Sequence, residues 1–104
     1  MIDIGVVRRM AETNALDWTW HIAERLIERG ITKADVISAL MNGEIIQQYP
    51  DARLFPKCII LGDDLSGRKL HVVCALSKYE LSMVTAYYPS LWVWEPDFRT
   101  RKWK

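Results

Sequence analysis

The chain has 104 residues, of which 50% are hydrophobic and 26% charged, a balance that indicates one small domain spanning residues 1–104. A domain of this size can bury a core without disulfides or a metal. The formal net charge of +1 excludes the global positive field of dedicated nucleic-acid binders. Because no segment resembles a signal peptide or a spanning helix, we expect a cytoplasmic protein outside any membrane, with Cys58 and Cys74 as free thiols.

The first well-patterned helix surrounds His21. Its apolar residues recur at helical spacing and predict a stripe that faces the core, formed by Leu16, Trp20, Ala23 and Ile27. Ile22 and Leu26 widen this stripe on one flank, and Gly30 ends the helix. An earlier turn or short helix is expected within residues 3–13.

The second helix begins at Thr32, which forms a weak capping box with Asp35, and it ends at Asn42-Gly43. Short strand-like runs follow at residues 44–49, 57–61, 69–77 and 81–88. Helices first and consecutive hairpins afterwards predict an α+β fold, in which N-terminal helices pack on an antiparallel β-sheet of about four strands.

The short loop between the third and fourth predicted strands fixes how they pair. Pairing the two residues that flank this loop places Val73 opposite Thr85 and His71 opposite Tyr87. A slip of one residue would place Tyr88 opposite His71 instead.

The pairing predicts a polar cluster of His71, Thr85 and Tyr87 on a sheet face that is otherwise apolar. The apolar members of that face are Val73, Ala75 and Met83. The same pairing argument, applied to the preceding hairpin, places Cys58 near Cys74 on the opposite face of the sheet. The polar cluster fits either a His–Tyr hydrogen bond that satisfies two half-buried groups or a catalytic site.

His21 and Arg25 lie four residues apart on the first helix and are therefore neighbours, on the side opposite the apolar stripe. A solvated polar face is the simpler interpretation of this pair. Together with His71 and Tyr87, however, the pair predicts a catalytic set for cutting RNA: one imidazole as base, the other as acid, and Arg25 to hold the phosphate. The two histidines could exchange these roles.

The last six residues, 99–104, carry four positive charges and no negative side chain. They form either a frayed, solvated end or a basic arm that binds phosphate or an acidic partner. In the second case Arg99 and Arg101, together with Thr85, are candidate substrate-binding residues. The aromatic stretch 92–98 is expected to pack back on the domain.

Several segments together resemble a family of small bacterial proteins, the domain-of-unknown-function 4258 family. They are His21-Ile22-Ala23-Glu24-Arg25, Arg29-Gly30-Ile31, Asp35-Val36, Gly43-Glu44, Tyr49-Pro50, Ile60-Leu61-Gly62, Leu70-His71-Val72-Val73 and Val84-Thr85-Ala86-Tyr87. Families of this type are similar to the toxin halves of bacterial toxin–antitoxin pairs, whose fold resembles that of the RelE and barnase ribonucleases.

The resemblance implies a toxin-like endoribonuclease that needs no metal or cofactor, with RNA as substrate and a cognate antitoxin protein as partner. In such an enzyme, Thr85 and Tyr87 would orient His71 or contact the phosphate, and His71→Ala would remove most of the activity while leaving the fold intact. The alternative is a non-catalytic module that binds a protein or RNA through the aromatic, basic C-terminus.

Overall fold

The structure is a computed structural model that describes residues 1–102. Within them lie three helices: α1 (Ile4–Glu12), α2 (Trp20–Arg29) and α3 (Lys33–Asn42). The five strands are β1 (Leu16–Trp18), β2 (Glu44–Tyr49), β3 (Lys57–Asp63), β4 (Lys69–Leu76) and β5 (Leu81–Tyr87). They form one sheet in the order β1-β5-β4-β3-β2. No helix within residues 1–102 is both long and apolar enough to cross a membrane.

Each helix starts at a side chain that accepts a backbone hydrogen bond. Asp3 accepts from Gly5 N at 2.8 Å, and Thr19 accepts from Ile22 N at 3.3 Å. Thr32 and Asp35 bond each other's backbone N–H groups, each at 3.0 Å, which confirms the predicted capping box. The earlier helix expected within residues 3–13 is α1.

The prediction of about four strands misses β1, because residues 16–18 were assigned to the first helix. Leu16–Trp18 instead pairs in parallel with Leu81–Met83 at the edge of an otherwise antiparallel sheet. Ser82 Oγ donates to Asp17 across this pairing at 3.1 Å. Since Thr19 is the N-cap, α2 begins only at Trp20.

The predicted apolar stripe of α2 is wrong. Trp20 and Ile27 are 66% and 81% exposed, whereas Ile22 and Leu26 are buried. The end of the helix explains the orientation: Gly30 adopts a left-handed conformation, and the N–H of buried Ile31 donates to Leu26 O at 2.9 Å. This C-terminal motif brings the apolar residue that follows the helix against its last turn, which turns Leu26 inward.

The core lies between the three helices and one face of the sheet. Its helical members are Val7, Ala11, Ile22, Leu26, Val36, Ala39 and Leu40, and its strand members include Cys58, Ile60, Leu70, Val72, Cys74, Leu81, Met83 and Ala86. The backbone of β3 lies so close to α3 at Gly62 that a Cβ there would collide with Ala39. We call this the helix face of the sheet and its reverse the outer face.

The predicted register at His71 is confirmed, with His71 opposite Tyr87 and Val73 opposite Thr85. A bulge between Val73 and Cys74 then shifts the pairing, so that Cys74 lies opposite Met83. The prediction that Met83 shares the face of His71 is therefore wrong, and Met83 is buried in the core on the helix face.

The two cysteines lie opposite each other on β3 and β4, as predicted, and both are buried on the helix face. Their sulfurs are 3.9 Å apart, and neither forms a disulfide. The hydrogen bond to Cys58, together with burial, raises the pKa of Cys74 well above its ordinary value. Cys74 is therefore an inert core thiol.

Two buried carboxylates fix the turn between β3 and β4. Asp64 accepts hydrogen bonds from Ser66 N, Arg68 N and, at 2.7 Å, the Tyr88 hydroxyl. Asp35 accepts from Leu65 N at 3.0 Å, which ties the start of α3 to the same turn. Burial, reinforced by Asp64, raises the pKa of Tyr88 to about 12. Tyr88 therefore belongs to this network. The alternative register that placed Tyr88 opposite His71 is wrong.

Candidate functional site

His71 is the most enclosed polar side chain on the outer face, with 0% exposure. Its Nδ1 lies 3.2 Å from the Tyr87 hydroxyl, and its Nε2 lies 2.8 Å from the carbonyl oxygen of Phe98. The Trp94 ring meets the imidazole edge to face, with 4.6 Å between centroids. Three groups thus surround His71: its cross-strand neighbour and two residues near the C-terminus.

These partners determine which nitrogen of His71 carries the proton. A carbonyl oxygen only accepts, so Nε2 must donate to Phe98, and neutral Nδ1 accepts from the Tyr87 hydroxyl. Burial lowers the pKa of His71, and the nearby positive charge of Arg101 acts in the same direction, against the hydrogen bond to Phe98. His71 is therefore a neutral imidazole at neutral pH.

The C-terminal segment, residues 89–102, packs back over the outer face through Trp94, whereas Trp92 of the predicted stretch is exposed. Trp94 is 3% exposed and pairs with Arg101 in an isolated antiparallel bridge. Phe98 adopts a left-handed backbone conformation with φ of 56°, rare for an aromatic residue, and its carbonyl bonds His71. The Asp97 carboxylate holds the turn by accepting from the N–H groups of Arg99 and Thr100.

An open cavity of about 650 Å³ lies beside this segment on the outer face. Its apolar floor comes from Ile59 and Val73, which face each other on β3 and β4. The remaining lining residues are Gln48, Tyr49, Pro50, Asp51, Ala52, Lys57, Tyr87 and Arg101. We call this the outer-face cavity. It has the size of a ligand pocket, about 300–1,000 Å³.

Positive charge borders the outer-face cavity. Lys57 and Arg101 line it together with a single carboxylate, Asp51. The guanidinium of Arg101 lies over the Trp94 ring at 5.1 Å and donates to the Tyr49 hydroxyl at 3.3 Å. These contacts hold the cation at the wall of the cavity.

Tyr87 lines the cavity, and its hydroxyl bonds His71. Burial raises its pKa, although the positive charges of Arg101 and Arg29 act in the opposite direction. The phenol is therefore protonated at neutral pH. It can donate a hydrogen bond to a ligand oxygen if it releases His71.

Arg29 reaches this region from the end of α2. Its Nη1 donates to the Ala86 carbonyl at 2.8 Å and to the Thr85 hydroxyl at 3.0 Å. Thr85 was predicted to bind substrate, and its hydroxyl is already bonded to Arg29. The Thr85–Arg29 pair adds a second cation beside Tyr87, at the edge of the sheet.

The structure does not bring His21 and Arg25 to His71. Both lie on the exposed side of α2, where His21 stacks on Trp20 at 3.8 Å and Arg25 pairs with Glu28 at 3.3 Å. The buried side of α2 packs on the helix face of the sheet, while His71 lies on the outer face. A helix and the sheet therefore separate the two imidazoles.

The two C-terminal arginines that were candidates for substrate binding line different cavities. Arg101 lines the outer-face cavity, whereas Arg99 pairs with Glu44 and lines a different cavity of about 320 Å³ with Arg8 and Lys69. The rest of the predicted basic arm, Trp103 and Lys104, lies outside the described residues. Among residues 1–102, no three His, Cys, Asp or Glu side chains form a group that could hold a metal ion.

Sequence reasoning missed Tyr49 and Lys57, which face each other across β2 and β3. The register argument used at His71 could have found Lys57, because Lys57 pairs with Ala75 on the same face as Val73. Tyr49 belongs to one of the segments that carried the family resemblance. The approach of Arg101 to both residues depends on the path of the C-terminal segment.

Comparison with known proteins places the chain in a family without assigning an activity. No curated protein and no solved structure matches it, so the likeness to RelE and barnase stays a prediction. A family model described as "Domain of unknown function (DUF4258)" matches residues 18–88, which include His71 and Tyr87 but not Arg101. Since this match covers more than half of the sequence, the chain belongs to the DUF4258 family.

Proposed function

We propose that this protein binds single-stranded RNA in the outer-face cavity. The observation that carries the proposal is the combination of size, apolar floor and cationic rim in one open cavity of about 650 Å³. A base can pack against the floor of Ile59 and Val73, while Lys57 and Arg101 neutralise phosphate. The Tyr49 hydroxyl, which accepts from Arg101, keeps its own O–H to donate to a ribose 2′-hydroxyl.

The geometry gives His71 a positioning role in this proposal. The ring holds Tyr87 on one side and the Phe98 carbonyl on the other, so it joins β5 to the C-terminal segment that carries Arg101. A cognate antitoxin, expected from the resemblance to toxins, would neutralise the protein by covering this cavity.

Metal-independent RNA cleavage is a second candidate function. The observation that favours it is Tyr87, which lines the cavity close to Arg101 and Arg29. In such a cleavage the ribose 2′-oxygen attacks phosphorus, its proton passes to water, and the bond from phosphorus to the 5′-oxygen breaks to leave a 2′,3′-cyclic phosphate. The Tyr87 phenol, on releasing His71, donates its proton to the leaving 5′-oxygen, while a guanidinium stabilises charge on the phosphate. The mechanism with two histidines has no such support, because His21 and His71 lie on opposite sides of the sheet.

Binding is tested by substituting single cations and titrating a labelled oligoribonucleotide of about a dozen nucleotides, followed by fluorescence anisotropy. We expect Lys57→Ala and Arg101→Ala each to weaken binding by about tenfold and to lower the salt slope by about one. Arg25→Ala is the matched control, because it removes an equal charge from the exposed side of α2. A loss for Arg25→Ala as large as for the other two variants would contradict the proposal.

A further inference from the structure

A second cavity adjoins the outer-face cavity. Its volume is about 280 Å³, and its lining consists of Tyr87, Tyr88, Ser90, Val93, Trp94 and Arg101. Two of these residues, Tyr87 and Arg101, also line the outer-face cavity. The two cavities therefore meet at one phenol and one guanidinium.

Both cavities have an aromatic residue in their lining. Tyr49 and Tyr87 are in the lining of the outer-face cavity, and Tyr87 and Val93 are in the lining of the second cavity. The rings of Tyr88 and Trp94, which also belong to that lining, are covered by Arg68 and Arg101. Aromatic rings stack on nucleobases with little dependence on base identity. Each cavity has room for one base beside Tyr87, and the volume of the smaller one suits a pyrimidine.

The junction itself suits a phosphate. A guanidinium has five N–H donors, and the contact with the Tyr49 hydroxyl uses only one Nη group of Arg101. Tyr87 lies at the same junction, and its hydroxyl adds a further donor once it exchanges its bond with His71 Nδ1 for one with the phosphate. A phosphodiester that links two bases, one in each cavity, would pass directly over these two side chains.

We propose that the outer face recognises RNA as a dinucleotide step, with the bridging phosphate on Arg101 and Tyr87. This inference rests on the proposed function and specifies its ligand: two consecutive nucleotides of a flexible single strand. A duplex does not fit, because its bases are stacked in the helix and cannot enter two separate cavities. An acidic peptide would meet the same cation, but it has no flat bases to match the aromatic walls.

The test is competition against the labelled oligoribonucleotide by uridine monophosphate, the dinucleotide UpU and longer uridine oligomers, on the full-length protein. We expect the largest gain in affinity, on the order of a hundredfold, between the mononucleotide and the dinucleotide. Each further nucleotide should add about threefold or less. An even gain per nucleotide would overturn the inference.

A dinucleotide with an uncharged methylphosphonate linkage tests the junction directly. We expect it to bind about tenfold more weakly than UpU to the wild type. With Arg101→Met, which keeps an unbranched stem without the charge, the two ligands should bind equally. Equal binding of both ligands to the wild type would overturn the inference, even if the longer RNA still binds.

Two outcomes separate this inference from the proposed function. If the longer RNA does not bind the wild type at all, both proposals fail. If polyglutamate of matched charge displaces the labelled RNA as well as an oligouridine does, the cavities do not recognise bases, and the dinucleotide inference fails while a cationic surface remains.

Discussion

His71→Ala is expected to destabilise the protein by about 3 kcal/mol, because it opens a cavity and leaves hydrogen-bonding partners unpaired. The imidazole is fully buried and bonded to Tyr87 and the Phe98 carbonyl, and its ring packs against Trp94. With these contacts, the variant is not expected to leave the fold intact, although the sequence alone suggests that it would. The measurement is urea unfolding followed by tryptophan fluorescence.

His21→Ala is the matched control, since it removes the same ring from an exposed helical position. We expect it to change the free energy of unfolding by less than about 0.5 kcal/mol. Equal stabilities of His71→Ala and the wild type would show that the C-terminal segment does not depend on His71.

The pH dependence of unfolding gives the same prediction an independent readout. Burial lowers the pKa of His71 below its ordinary value of 6.5, so the unfolded chain takes up this proton first as the pH falls. The wild type should therefore lose stability as the pH falls through 6.5 toward the lower pKa of the folded state, and His71→Ala should lack that part of the loss. The buried Asp35 and Asp64 have lowered pKa values and titrate at more acidic pH.

Tyr87→Phe is expected to slow RNA cleavage by about a hundredfold if the protein cleaves RNA. The substitution removes the hydroxyl and its bond to His71 but keeps the ring and Arg101, so binding should fall much less than the cleavage rate does. Cleavage is measured under single-turnover conditions, with a chelator in excess, on the oligoribonucleotide used for binding. The chelator should have no effect on the rate.

His21→Ala distinguishes this site from the two-histidine mechanism. We expect it to cleave at the rate of the wild type, because the exposed side of α2 lies away from the outer face. A folded His21→Ala variant without activity, or a Tyr87→Phe variant with full activity, would contradict the assignment. If the wild type leaves RNA intact, binding without cleavage becomes the function that the cavity supports.

The parts of the fold that follow local rules could be predicted from the sequence. Thr32 with Asp35 specified the start of α3, and the short loop before β5 specified that His71 and Tyr87 are neighbours. The same loop argument misplaced Met83, because a bulge adds a residue to β5 and leaves no clear mark in the sequence.

The parts that depend on distant contacts could not be predicted. Leu16 and Trp20 have helical spacing with Ala23 and Ile27, but β1 gains backbone partners on β5 that the spacing does not reveal. The site shows the same limit. The sequence predicts all four strands that line the outer-face cavity, whereas Arg101 reaches it only through the fold of the C-terminal segment.

Nuclear magnetic resonance of the isotope-labelled protein, titrated with the single-stranded oligoribonucleotide, tests the central proposal most directly. Binding in the outer-face cavity predicts that the amide signals of Lys57, Val73, Tyr87 and Arg101 shift together with one dissociation constant. The signals of His21 and Arg25 on α2 should stay in place. Shifts confined to α2, or no shifts on the outer face at RNA concentrations that saturate binding, would contradict the proposal.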